Sequence, residues 1–192
     1  MNAKHFILGA LVMAAPALAR PQADRDQMHR MDRTDVRTEK LPRVDVDLLK
    51  KLHQANREEI ELGQVAQEQS MRDDVKQFGK MMVDDHRQAD GKITQMADRH
   101  GVPLGDEVDA LKLADKFRKK TGDDFNKDYL TKMVKDHDKV ISLISGKRDD
   151  VRAEFQAMLN EMMPTLRKHR VEAKRLLDEV KGQRSARTLM RR

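Results

Sequence analysis

The chain contains no cysteine and no tryptophan, and its aromatics are one tyrosine and five phenylalanines in 192 residues. Without cysteine there are no disulfides, no thiolate metal ligands, no thiol nucleophile and no N-terminal lipid on a cysteine. A free thiol is a liability in an oxidising compartment, so the absence also suits a protein that works outside the cytoplasm. Scarce aromatics count against nucleic-acid binding, which concentrates basic groups on a folded face, often interleaved with stacking rings. Beyond residue 19 only Phe78, Phe117, Phe125, Phe155 and Tyr129 remain. Long apolar runs are missing as well, and no stretch after the N-terminus has the roughly 20 apolar residues that cross a bilayer.

The N-terminus is the exception. Residues 1–19 have a basic start at Lys4, an apolar run from Phe6 to Leu18 and a small-x-small end at Ala17-Leu18-Ala19. This is the pattern of a secretory signal peptide, and the run is too short for a membrane anchor. The expectation is an exported protein of a Gram-negative envelope, periplasmic or secreted, with no transmembrane span in the mature chain. The formal net charge is +6, much of it in the tail, where Lys181, Arg184, Arg187, Arg191 and Arg192 follow one another closely. Residues 20–45 alternate acids and bases with almost no large apolar side chain, so they read as a flexible charged leader. Residues 183–192 read as a basic disordered tail.

Between these ends, over 46–182, the apolar residues recur with helical periodicity in four segments. The first, Val46–Gln69, carries Leu48, Leu49, Leu52, Ala55, Ile60, Leu62 and Ala66. The second, Arg72–His100, carries Val75, Phe78, Met82, Ala89, Ile93 and Met96, and stops at Gly101-Val102-Pro103. The third begins after Thr121-Gly122-Asp123, carries Phe125, Tyr129, Met133, Val140, Ile141 and Ile144, and ends at Gly146. The fourth spans Asp149–Lys181 and holds Pro164, where a kink is expected. Short first and third connections imply two antiparallel hairpins. The Gly101–Gly122 connection is long enough to cross the bundle and to hold a minor helix near Glu107–Lys119.

Helical phase turns His86, His137, His169 and Glu59 inward, among apolar neighbours three or four residues away. Buried ionisable groups need hydrogen bonds, one another, or a metal. Counted from the first hairpin near Met71, Glu59 and His86 lie within about one turn in depth and should meet. Counted from Lys147, His137 and His169 differ by roughly 18 Å, so His169 is expected away from His137 and near the Tyr129 hydroxyl. The candidate metal ligands are therefore Glu59, His86 and His137, with Met82 and Met133 as weaker thioether candidates. Asp85, Asp136, Tyr129 and His169 are read as structural polar residues. Thioethers beside imidazoles suit copper(I), and a Glu-His-His set suits zinc or iron; the sequence leaves these alternatives open, together with a purely structural layer. A repeat is also visible, because Phe78-x-x-x-Met82-Val83-x-Asp85-His86 returns as Tyr129-x-x-x-Met133-Val134-x-Asp136-His137.

Four runs carry a family resemblance. They are Glu59-Ile60-Glu61-Leu62-Gly63-x-x-Ala66; Val75-x-x-Phe78-x-x-x-Met82-Val83-x-Asp85-His86; Phe125-x-x-x-Tyr129-x-x-x-Met133-x-x-Asp136-His137; and Met163-Pro164-x-Leu166-x-x-His169-x-x-x-Ala173. Together, over Val46–Leu177, the chain resembles the domain of unknown function 4142 family. The resemblance implies an all-α, ferritin-like four-helix bundle with a long crossover between its second and third helices, in an exported bacterial protein. It implies no established activity. The outer-membrane label often attached to the family fits poorly here, since a barrel needs alternating strands. A di-iron centre requires Glu-x-x-His on two helices, but the residues three before the histidines are Val83, Val134 and Leu166.

No catalytic motif is present, and no residue is assigned a catalytic role. Three readings remain: an envelope-associated bundle with a stress-related or metal-handling role, a module that binds envelope polymers or proteins through its charged faces without a metal, and, last, an enzyme whose chemistry no motif identifies. Export predicts that periplasmic material analysed by mass spectrometry begins at Arg20. Recovery of the Met1 form in the membrane fraction would contradict it.

Overall fold

In the computed structural model the described residues are 40–106 and 108–190. The expected signal peptide, nearly all of the charged leader and the last two arginines lie outside them. The described chain forms α1 (Arg43–Gln69), α2 (Asp73–Arg99), α3 (Val108–Arg118), α4 (Gly122–Lys147), a 3₁₀ turn (Arg148–Asp150) and α5 (Ala153–Met190). No strand occurs among the described residues, and none of their helices is long and apolar enough to cross a membrane.

Two boundaries differ from expectation. Helix α1 begins at Arg43 rather than Val46, because Pro42 supplies a preset φ of −52° and its carbonyl accepts the Asp45 and Val46 amides. Leu41 and Asp45 are already buried, so the core starts within the stretch read as leader. At the other end α5 continues to Met190, so residues 183–190 are helical, not a disordered tail. Once a helix is nucleated, each further residue adds a hydrogen bond at little cost, and no proline interrupts this stretch. Helix α5 also runs on through Pro164.

Helix α2 stops as its sequence demands. Gly101 takes φ +61°, and the amides of Gly101 and Val102 fold back to the carbonyls of Asp98 and Ala97. The α1–α2 turn is held by Ser70, whose hydroxyl donates to Asn126 Oδ1 at 2.8 Å, and by Arg72, which clamps Asp74 and reaches Glu179 at 3.5 Å.

Cross-helix pairs establish the topology. Along α1 and α2, His53 meets Asp90 and Glu59 meets His86, so the partner number falls as the chain number rises. The same reversal appears between α1 and α4, where Glu59 meets His137 and Ser70 meets Asn126. It recurs between α2 and α5 in Asp85–His169, Lys92–Glu161 and Arg99–Glu154. All adjacent neighbours are therefore antiparallel and the diagonal pairs parallel, the up-down-down-up order of the expected bundle. The long connection climbs back along it and carries α3, which buries Ala110, Ala114 and Phe117.

The core is two apolar clusters with a polar layer between them. One cluster contains Leu62, Phe78, Met82, Phe125, Tyr129, Met133 and Leu176; the other contains Leu49, Leu52, Ile93, Ile144, Phe155, Leu159 and Leu166. Every long helix passes from one to the other through the polar residues Asn56 and Glu59, His86, His137, or His169.

The α1–α2 seam is closed by two glycines. A Cβ on Gly63 would lie 2.7 Å from the Gly79 carbonyl, and one on Gly79 would lie 2.8 Å from the Gly63 carbonyl. Alanine at either position must push the backbones apart, which outweighs its better helix propensity. We expect Gly63→Ala and Gly79→Ala each to destabilise by about 1–3 kcal/mol. Gly91→Ala, in the same helix α2 with nothing within 4 Å, should instead stabilise by roughly 0.5–1 kcal/mol. Chemical denaturation of the three variants checks this, and a stabilised Gly63→Ala would refute the close seam.

Candidate metal centre

Glu59, His86, His137 and His169 meet at mid-depth, and none is more than 4% exposed. Glu59 Oε2 lies 2.7 Å from His86 Nε2, and Glu59 Oε1 lies 3.3 Å from His137 Nδ1. The convergence of Glu59, His86 and His137 is as the helical phase predicts. One ring nitrogen from each of the three histidines lies within 4.8 Å of the others.

The position of His169 is a correction. It was expected far from His137 and beside Tyr129, yet its Nδ1 is 3.3 Å from His137 Nε2. Residues 148–152 are not a descending helix. Instead the 3₁₀ turn continues upward past the end of α4, and α5 begins only at Ala153. The ascent from His137 is 10 helical residues plus a 3₁₀ turn, about 21 Å, and the descent to His169 is 16 residues, about 24 Å. The two therefore meet within one turn. The Tyr129 hydroxyl has no hydrogen-bond partner among the described residues, its ring lying stacked on Phe125 at 5.8 Å and edge-on to Phe78 at 6.1 Å.

One nitrogen of each ring is held by an acceptor. His137 Nδ1 donates to the Met133 carbonyl at 2.9 Å, His169 Nε2 to Asp85 Oδ2 at 2.8 Å, and His86 Nδ1 to Asn56 Oδ1 at 2.9 Å. A neutral imidazole that donates at one nitrogen presents a lone pair at the other. His86 Nε2, His137 Nε2 and His169 Nδ1 are therefore the lone-pair atoms. The last two face each other at 3.3 Å, a repulsive arrangement unless a proton or a cation lies between them. Although His86 Nε2 is close to Glu59, that oxygen is off the ring's donor direction, and the nitrogen has no hydrogen-bond partner among the described residues.

Met82 and Met133 are fully buried in the apolar cluster one turn from His86 and His137. Of Met133 it is the backbone carbonyl that touches the centre. Asp85 belongs to the centre through His169, whereas Asp136 faces outward and pairs with Lys132 at 2.6 Å. The repeated Asp-His pairs thus have matching histidines and divergent aspartates. Asn56 was not singled out in the sequence, although it lies three residues before Glu59 and four after Leu52, on the same inward face. Ala55, assigned to that face, is only half-buried.

Burial alone would raise the Glu59 pKa, but the positive charge available to His86 and His137, the His86 contact and then His169 outweigh it and bring it down to about 2. For His169 burial is the largest effect; helped by His86 and His137 and opposed by Asp85, it lowers the pKa from 6.5 to about 4. The folded chain thus holds a proton on His169 less readily than the unfolded chain. That contribution to stability is complete above about pH 6.5 and is lost as the pH falls towards 4, whereas the Glu59 contribution is lost only between about pH 4.5 and 2. We expect the metal-free protein to lose on the order of 3 kcal/mol between pH 6.5 and 4 through His169. Denaturant unfolding across this range should show a clearly shallower fall in His169→Gln, and an unchanged slope would assign the effect elsewhere.

No curated protein and no solved structure matches the chain. The family described as Domain of unknown function (DUF4142) matches residues 30–176, most of the chain and all of the residues that build the centre. This chain is a member of the DUF4142 family.

Proposed function

We propose that this is an exported helical bundle that holds one divalent first-row transition ion in its middle layer, with His86, His137 and His169 as nitrogen ligands and Glu59 as the oxygen ligand. The observation that carries the reading is the fixing of three inward lone pairs by three outward hydrogen bonds, to Asn56, the Met133 carbonyl and Asp85. Metal-bound histidines are held in this manner, their second nitrogen donating to a carboxylate, amide or carbonyl that sets the tautomer and the ring plane. Three imidazoles and one carboxylate suit zinc, iron(II) or copper(II) rather than copper(I). Zinc(II) is the ion whose four-coordinate preference this donor set meets.

A single carboxylate among three imidazoles does not bridge two irons, in keeping with the missing Glu-x-x-His pairs. With Glu59, whose Oε2 lies 2.7 Å from His86 Nε2, closing on the three converging imidazoles, no position stays open, so the reading is metal holding, not catalysis. The envelope location rests on residues 1–19 and on the lack of cysteine.

Calorimetric titration of untagged wild type with zinc(II) should give one equivalent. His86→Ala, His137→Ala and His169→Ala should each abolish it, and Asp85→Ala should weaken it by about 10–100-fold by freeing the His169 ring. Affinity should fall below about pH 6 as the imidazoles take up protons. If zinc(II), iron(II) and copper(II) all bind wild type no better than the triple histidine variant, the layer is structural and the metal reading is wrong.

A further inference from the structure

Two grooves flank the layer on opposite sides of the bundle. Between α2 and α5 a small one, about 80 Å³, is lined by Asp85, Ala89, Lys92 and Glu161 and stops at Asp85. Between α1 and α4 a larger one, about 640 Å³, is lined by Ala55, Glu58, Glu59, Asp136, Lys139 and Val140. Glu59 is the member of the ligand set in its wall, and the three histidines lie behind it.

Lys132 bridges two carboxylates of this groove's wall. Its ammonium lies 2.6 Å from Asp136 on its own helix and 3.5 Å from Glu58 on α1, and both carboxylates belong to the groove lining. Its side chain is about one-fifth exposed, so it can swing into solvent. Burial pulls the Lys132 pKa down, but Asp136, Glu58 and Glu59 together hold it above the usual lysine value, and it stays a cation.

We propose that the α1–α4 groove is the path by which the ion reaches the layer, that Glu59 is the ligand it meets first, and that Lys132 guards the path as a displaceable cation. This rests on the metal reading above and adds how the site fills. An incoming hydrated dication is drawn by Glu58 and Asp136 about twice as strongly as a single ammonium at equal distance, since Coulomb energy scales with charge. It therefore displaces Lys132 with no change in the lysine's protonation. Water is then exchanged for carboxylate oxygen at Glu59, and the imidazoles behind complete the ligand set. The α2–α5 groove offers no such route, because Asp85 and its bond to the outer nitrogen of His169 stand between solvent and the lone pairs.

The test uses the full chain without an affinity tag and cobalt(II) as the probe, followed by the visible absorption that develops in four-coordinate nitrogen and oxygen sites. Lys132→Met should raise the association rate roughly tenfold at low salt by removing the competing cation, with a smaller effect at high salt. Ala55→Phe, which narrows the groove, should slow association roughly tenfold and leave the final amplitude unchanged. Ala89→Phe in the opposite groove should match wild type. Uptake indifferent to Lys132, or slowed by Ala89→Phe and not by Ala55→Phe, overturns the route alone. If Ala55→Phe does not fold, the Lys132→Met rate decides by itself. Wild type that takes up no cobalt(II) overturns the metal reading and the route with it.

Discussion

Four ionisable side chains buried at one depth cannot be accommodated singly, and the geometry of the bundle follows from keeping them together. A lone buried carboxylate or imidazolium would be strongly penalised, whereas here Glu59 lies against two imidazoles and each imidazole has an acceptor for one nitrogen. Because α1, α2, α4 and α5 each contribute a member, the layer restrains the axial register of all four. A slip of one helix by a turn, about 5.4 Å, would carry its polar residue into an apolar cluster. The clusters above and below supply the cohesive burial, and the layer between them supplies specificity of register.

The two seams of α1 are built differently, and the difference matters for the centre. Against α2 the chain has glycines at 63 and 79, so the backbones touch, and Asn56 and Glu59 are pressed onto His86. Against α4 the contact is made by longer charged side chains, and a groove remains that Lys132 bridges rather than fills. The tight seam holds the carboxylate among the rings, and the loose seam leaves it within reach of the surface.

The repeated motif on α2 and α4 shows how far a local pattern carries. Phe78 and Tyr129 meet edge-on, Met82 and Met133 share one cluster, and the His86 and His137 ring centres are 5.6 Å apart. The aspartates beside those histidines part company, Asp85 reaching across to His169 and Asp136 turning to Lys132. Helical phase constrains which residues face inward. It does not specify which helix stands opposite a residue on the flank, and that is where the two aspartates sit.

The fold class, the four long helices, the crossover with its minor helix and the inward direction of Glu59, His86, His137 and His169 all followed from the sequence, because they depend on a local 3.6-residue period and on stop signals such as Gly101. Helix ends at Arg43 and Met190 did not, since a proline-set first turn with buried Leu41 and the low cost of extending an existing helix extend them beyond the apolar stripe. Nor did the third imidazole. Placing His169 beside His137 requires the rise of the Arg148–Asp150 turn and the late start of α5, which no periodicity encodes, and the role of Asn56 becomes visible only once His86 is packed against it. Direction relative to a helix axis is a local property that residue spacing determines, but coincidence in depth between helices accumulates over every turn and loop between them, and only the packed tertiary structure decides it.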